Sequence, residues 1–157
     1  MAKATSSRRA AREAALRILY TVDVGKQSVD EVVAEAAEGA DFDEKAMDFL
    51  RGLVAATLNN QREIDPVLDR LAVGFPIARQ TAVDRNILRL AAAEILFAAS
   101  DAPPGAVVNE AVELAKKYST GESGRFVNGV LGSLVREVEA ARGPSGARPD
   151  AEENANA

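Results

Sequence analysis

The chain contains neither cysteine nor histidine. That excludes disulfides, thiolate nucleophiles and the usual zinc ligands. It also removes the commonest general acid–base at neutral pH, leaving catalysis only serine, lysine or carboxylate routes. The lack of cysteine fits a reducing cytoplasm. Aromatic residues make up only 4% of the chain, whereas alanine is abundant. Helices packed closely through small side chains suit that composition better than a β-sandwich, which draws on Val, Ile, Thr and aromatics. No apolar run approaches the roughly 18 residues of a membrane span. The basic residues 1–10 are not followed by the unbroken apolar stretch of a signal peptide. No Walker-type loop, no GxGxxG after a strand and no metal-ligand spacing is present. Gly121-Glu122-Ser123-Gly124 lacks the Lys-Ser/Thr ending that a phosphate loop needs.

What remains is 157 residues, 47% of them hydrophobic, with a formal net charge of −5. The length fits one compact domain. The sign of the charge argues against nucleic acid, but its distribution does not. Residues 1–20 hold Lys3, Arg8, Arg9, Arg12 and Arg17 against Glu13 alone, a local +4 that leaves −9 for the rest. A basic end on an acidic body describes either a localised anion-binding patch or a solvated tail.

Helical periodicity runs through the chain. A helix is expected from Ser7 or Arg8 to Gly25, with Ala11, Ala15, Ile18, Leu19 and Val22 as its apolar stripe. Ser28 and Glu31 form a capping-box pattern for a second helix ending at Gly39. A third starts near Asp43 with Met47, Leu50, Leu53, Val54 and Leu58, and Asn59-Asn60 ends or bends it. A short fourth carries Ile64, Val67, Leu68 and Leu71, with Pro66 expected in its first turn. Val73-Gly74-Phe75-Pro76 is a break. Thr81 and Asp84 signal a helix over about 81–99, apolar nearly all round and therefore central. A turn at Asp101–Gly105 follows, then a helix marked by Val108, Ala111, Ala115 and Tyr118. A Ser/Gly loop over 119–124 precedes a last helix with Val127, Val130, Leu131, Leu134 and Val138. Segments 1–7 and 143–157 are expected to be disordered. The fold class is all-α with about seven helices, in sub-bundles near 8–72 and 76–142.

Two places suit nucleic acid. On the first helix, Arg9, Arg12, Leu16 and Tyr20 share a flank separate from the core stripe. Arginines supply phosphate contacts, and a tyrosine stacks on an unpaired base. Spacing alone equally allows Leu16 and Tyr20 to pack on a neighbouring helix. Phe126, at the edge of the last helix's apolar arc beside Arg125 and Glu122, either stacks on a base or closes the core. Asp84 reads first as a capping carboxylate. Glu94, Asn109, Glu110 and Asn128 read as polar groups near apolar faces that fix helix register.

Three blocks resemble the NusB family. They are Arg8-Arg9-Ala10-Ala11-Arg12 continuing to Leu19-Tyr20; Val83-Asp84-Arg85-Asn86-Ile87-Leu88-Arg89-Leu90; and Val108-Asn109-Glu110-Ala111-Val112-Glu113-Leu114-Ala115-Lys116-Lys117-Tyr118 leading to Arg125-Phe126-Val127-Asn128-Gly129-Val130-Leu131. The likeness extends over about residues 8–140. It implies two roughly perpendicular three-helix sub-bundles. It also implies a non-enzymatic transcription antitermination factor without cofactor or metal. Such a factor binds boxA RNA with NusE, a small-subunit ribosomal protein, joins the RNA polymerase antitermination complex and supports transcription of ribosomal RNA operons. On this resemblance Arg8, Arg9, Arg12, Tyr20, Glu122, Arg125 and Phe126 match RNA-contacting positions, and Asp84 matches a partner-binding one. Ala93, Glu122 and Gly124 depart from common family residues, which touches the NusE surface and fine RNA specificity. An empty partner surface also permits a homodimer. NusB-like domains occur in ribosomal RNA methyltransferases too, but 157 residues are not expected to include their catalytic domain. A helical protein–protein adaptor with an incidental basic end is the other expectation.

Overall fold

In the computed structural model, residues 7–25, 27–39, 41–97 and 99–146 are described, with backbone alone for 143–146. Seven α-helices follow one another: α1 (Arg8–Gly25), α2 (Val29–Gly39), α3 (Glu44–Asn59), α4 (Gln61–Leu71), α5 (Ala82–Phe97), α6 (Pro104–Tyr118) and α7 (Gly121–Gly146), with a 3-10 turn at Ile77–Arg79 before α5. Among the described residues no helix is long and apolar enough to cross a membrane.

The expected central helix is central. α5 packs against α1, α3, α4, α6 and α7. Every residue from Asn86 to Glu94 is buried, because its sequence is apolar nearly all round. The α1 stripe is equally closed, with Ala11, Ala15, Ile18 and Leu19 at most 1% exposed. α1 packs against both α2 and α3, and α6 pairs with α7. α2 is held more lightly, since only Val32 is fully buried.

Caps set the boundaries. Ser7 Oγ accepts from the Ala10 amide at 3.2 Å, Asp43 Oδ1 from Ala46 at 2.8 Å and Thr81 Oγ1 from Asp84 at 3.1 Å. Three expectations are corrected. Pro66 lies inside α4, not in its first turn, because the helix restarts at Gln61 directly after Asn60. Pro66 and Arg62 are both exposed, so water can serve the Arg62 carbonyl that a proline cannot. The loop before α7 shrinks to Ser119-Thr120, because Thr120 caps the Ser123 amide at 3.0 Å and turns Gly121–Gly124 into helix. The last helix does not stop at Gly143. Its backbone stays helical to Gly146, since glycine and proline raise the cost of a helix without forbidding its frayed last turn. The remaining residues expected to be disordered, 1–6 and 147–157, lie outside the described ones.

Candidate nucleic-acid interface

The arginines of α1 have separate fates. Arg12 is buried and forms a two-point pair with Glu94 of α5, Nε to Oε1 and Nη2 to Oε2, both at 2.8 Å. The Glu94 hydrogen bonds hold the guanidinium pKa above its ordinary value. Ser100 Oγ adds a third bond to Glu94 at 2.7 Å. Arg12 therefore fastens α1 to α5, with Nε and Nη2 both taken by Glu94. Its place beside Tyr20 on a helical wheel misses that α5 covers it.

Arg9 stays at the surface but bonds Glu110 of α6 at 3.0 and 2.8 Å. Those bonds hold the Glu110 carboxyl below its usual range. Arg8 lies over the Phe49 ring at 4.6 Å and reaches Asp101 at 2.8 Å. The +4 counted along residues 1–20 is thus largely answered by carboxylates from α5, α6 and their connection. Of the four polar residues expected near apolar faces, Glu94 is buried and Glu110 half-buried, whereas Asn109 and Asn128 are exposed.

Residues the sequence did not single out complete the surface. Arg17 is exposed and donates to the Tyr118 hydroxyl at 3.0 Å, and Lys117 donates to Glu13 at 2.9 Å. Glu13 also accepts from the Tyr118 hydroxyl. Burial works against ionised Glu13, but the bonds from Lys117 and Tyr118 with the charges of Lys117 and Arg17 outweigh it, and its carboxyl is held low. Leu16, Arg17, Tyr20, Thr21, Val83 and Tyr118 line a groove of about 360 Å³. Leu16 is core, whereas Tyr20 is 41% exposed, so the two readings of that flank are divided between them. The basic pair Lys116-Lys117 before Tyr118, in the last turn of α6, was the available signal.

A second pocket, of about 350 Å³, is lined by Phe75, Asp84, Thr120, Glu122, Ser123 and Phe126. Phe126 is half-buried, and its ring centroid lies 5.7 Å from that of Phe75. Asp84 turns its side chain to α7, where Oδ2 accepts from Ser123 Oγ at 3.0 Å. Val83 lines the groove and Asp84 the pocket, so the start of α5 contributes one residue to each. Arg125 stands exposed beside them and forms no ion pair among the described residues. Tyr20, Tyr118 and Val83 thus line one cavity and Phe126 the other, with the start of α5 common to both.

One polar cluster holds the parts in place. Asp23 of α1 accepts from Arg85 at 2.7 and 3.0 Å and from Asn86 at 2.9 Å, and Arg89 bonds Asp65 of α4 at 2.8 and 2.9 Å. Burial opposes ionisation of Asp23, but the bonds from Arg85 and Asn86 and the charges of Arg85 and Arg89 prevail and depress its pKa. The cluster pins α1, just past Tyr20, to the start of α5, just past Asp84.

Comparison with known proteins places this arrangement. The model of the NusB family matches residues 9–136. The chain belongs to the NusB family. It is 47% identical over 133 residues to the transcription antitermination protein NusB of Pelotomaculum thermopropionicum, covering 85% of this chain and 92% of that protein. It is 44% identical over 137 residues to the protein of the same name from Heliobacterium modesticaldum, where it spans 87% of this chain and 66% of the relative. A chain in a crystal structure of antitermination factors NusB and NusE in complex with dsRNA superposes with a TM-score of 0.76 at 33% identity, covering 83% of this chain and 96% of that one.

Within the NusB fold the departures gain positions. Ala93 is fully buried, so its small side chain alters the core, not an exposed partner surface. Gly124 is buried against α6, where an added Cβ would stand 3.3 Å from Lys116 Cγ. Glu122 is exposed at the rim of the second pocket.

Proposed function

We propose that this chain is a non-catalytic antitermination factor that binds boxA RNA together with NusE, in the cytoplasm, and supports transcription of ribosomal RNA operons as part of the RNA polymerase antitermination complex. The observation that carries the proposal is that a groove holding Arg17, Tyr20 and Tyr118 and a pocket holding Phe126 both draw on the start of α5, with Lys117 and Arg125 exposed next to Tyr118 and Phe126 in sequence. Aromatic faces interleaved with cations are what single-stranded RNA requires, because stacking holds the bases and cations attract the phosphates. Membership of the NusB family and the likeness to a chain solved with NusE and RNA support it.

On this proposal Arg8, Arg9 and Arg125 face the phosphates, Tyr20 and Phe126 stack, and Glu122 lies at the RNA rim. Arg12 acts from beneath by holding α1. On the same proposal Asp84, expected to meet a protein partner, belongs to the RNA pocket; its place in the pocket lining and its bond from Ser123 support that reading. The test is titration of the NusE-bound protein with a boxA strand and with its scrambled counterpart at near-physiological salt. Tighter binding of boxA is expected. Equal affinity would contradict sequence-specific recognition, and the absence of any steep salt dependence would favour a protein–protein adaptor.

A further inference from the structure

We propose that the pocket between Phe75, Asp84 and the start of α7 is a nucleobase site that selects guanine. This deepens the RNA-binding proposal, on which it rests, by stating which base enters.

The pocket has two unlike sides. One is aromatic. Phe126 is anchored in the core edge, whereas the Phe75 side is 52% exposed. The backbone carrying Phe75 is fixed. Gly74 turns the chain at a φ of +76°, the Phe75 amide donates to the Ala72 carbonyl at 2.9 Å, and Gln80 Nε2 donates to the Phe75 carbonyl at 2.9 Å. A positive φ favours glycine at that turn. The segment Val73–Pro76, which reads as a mere break in the sequence, thus holds a half-exposed aromatic wall on a fixed backbone.

The other side is a set of acceptors and hydroxyls. Asp84 Oδ2 is occupied by Ser123 Oγ. Oδ1 is out of contact with solvent and accepts no hydrogen bond among the described residues. A carboxylate oxygen left so is destabilising, and a ligand N–H relieves it. On this proposal the base reaches it by displacing side chains of the pocket lining. Glu122 adds a second carboxylate at the rim.

Guanine alone among the four bases presents two adjacent donors, N1–H and the N2 amine, on its Watson–Crick edge. Adenine and cytosine set their amine beside an acceptor nitrogen, and uracil sets its N–H between two carbonyls that a carboxylate repels. Unstacked single-stranded bases are commonly read on that edge while an aromatic ring holds the face. The volume, about 350 Å³, falls within the usual range for a small planar ligand.

The experiment measures binding of uridine pentamers with a central guanosine, inosine, adenosine, cytidine or uridine to the full chain, alone and with NusE. Inosine differs from guanosine only in lacking the N2 amine. The guanosine strand is expected to bind about tenfold tighter than the inosine strand, the worth of one hydrogen bond to a charged acceptor. Asp84→Asn is expected to erase that preference. It leaves the Thr81 cap on the Asp84 amide in place, because that bond uses the backbone. Phe75→Ala, which leaves the Thr81 cap on the Asp84 amide in place, is expected to weaken the guanosine strand most. Equal affinity for guanosine and inosine, or a preference that survives Asp84→Asn in a folded protein, would overturn the guanine site. Failure of every strand to bind at low salt would overturn the RNA-binding proposal beneath it.

Discussion

Arg12 and Glu94 meet where both side chains are nearly free of water, at 8% and 1% exposure. Removing one partner from such a pair strands a charge in the core, whereas replacing both with apolar groups need not. Arg12→Ala is therefore expected to destabilise the protein by about 3–5 kcal/mol in urea denaturation. Arg12→Met with Glu94→Leu is expected to recover most of the loss. A small effect of Arg12→Ala would show that α1 is not fastened there. At this scale the sequence was partly readable. Glu94 was legible as a satisfied buried group, because a carboxylate in an apolar run needs a partner. Arg12 was not, because one helical wheel cannot say which neighbour covers its flank. The same limit affected charge, since carboxylates more than eighty residues away answer the arginines of α1.

The helices were legible wherever the apolar stripe was strong, as in α1, α3, α5 and α7. Failures came at punctuation. Pro66 reads as a first-turn residue until the bend at Asn60 is seen, and the Ser/Gly stretch reads as loop until Thr120 is found capping α7. Two predictions belong to elements. The α1–α5 clamp depends on ionised Asp23, whose folded-state pKa is depressed. Its stabilisation is complete above the ordinary carboxylate value near about 4 and is lost as pH falls through that value toward the lower folded one. In thermal melts the gap between wild type and Asp23→Asn is expected to be widest near neutrality and to close below about pH 4. A constant gap would remove the ionic clamp from the account. In α7, Gly129 is exposed, helical and open, with nothing within 4 Å of an added Cβ. Gly129→Ala is expected to stabilise by about 0.5–1 kcal/mol. Measured destabilisation would indicate strain that the backbone does not display.

Across the whole molecule, the net charge of −5 is a poor guide to what binds. The opening of α1 reads as the entire basic site, yet its arginines are mostly paired, and the surface draws on α5, α6 and α7 as well. Tyr20 and Phe126 were both legible as edge aromatics. The proposed union of the two on one surface was not, because it depends on the packing of α6 and on where α5 begins. The most direct test of that surface is RNA affinity after truncation at each end. Tyr20 is exposed and forms no described hydrogen bond, so Tyr20→Ala is expected to leave the melting temperature nearly unchanged. In the NusE-bound protein, Tyr20→Ala and Phe126→Ala are each expected to weaken boxA binding by about 1–3 kcal/mol, the worth of one stacked base. Unchanged affinity for either variant would contradict a single continuous RNA surface.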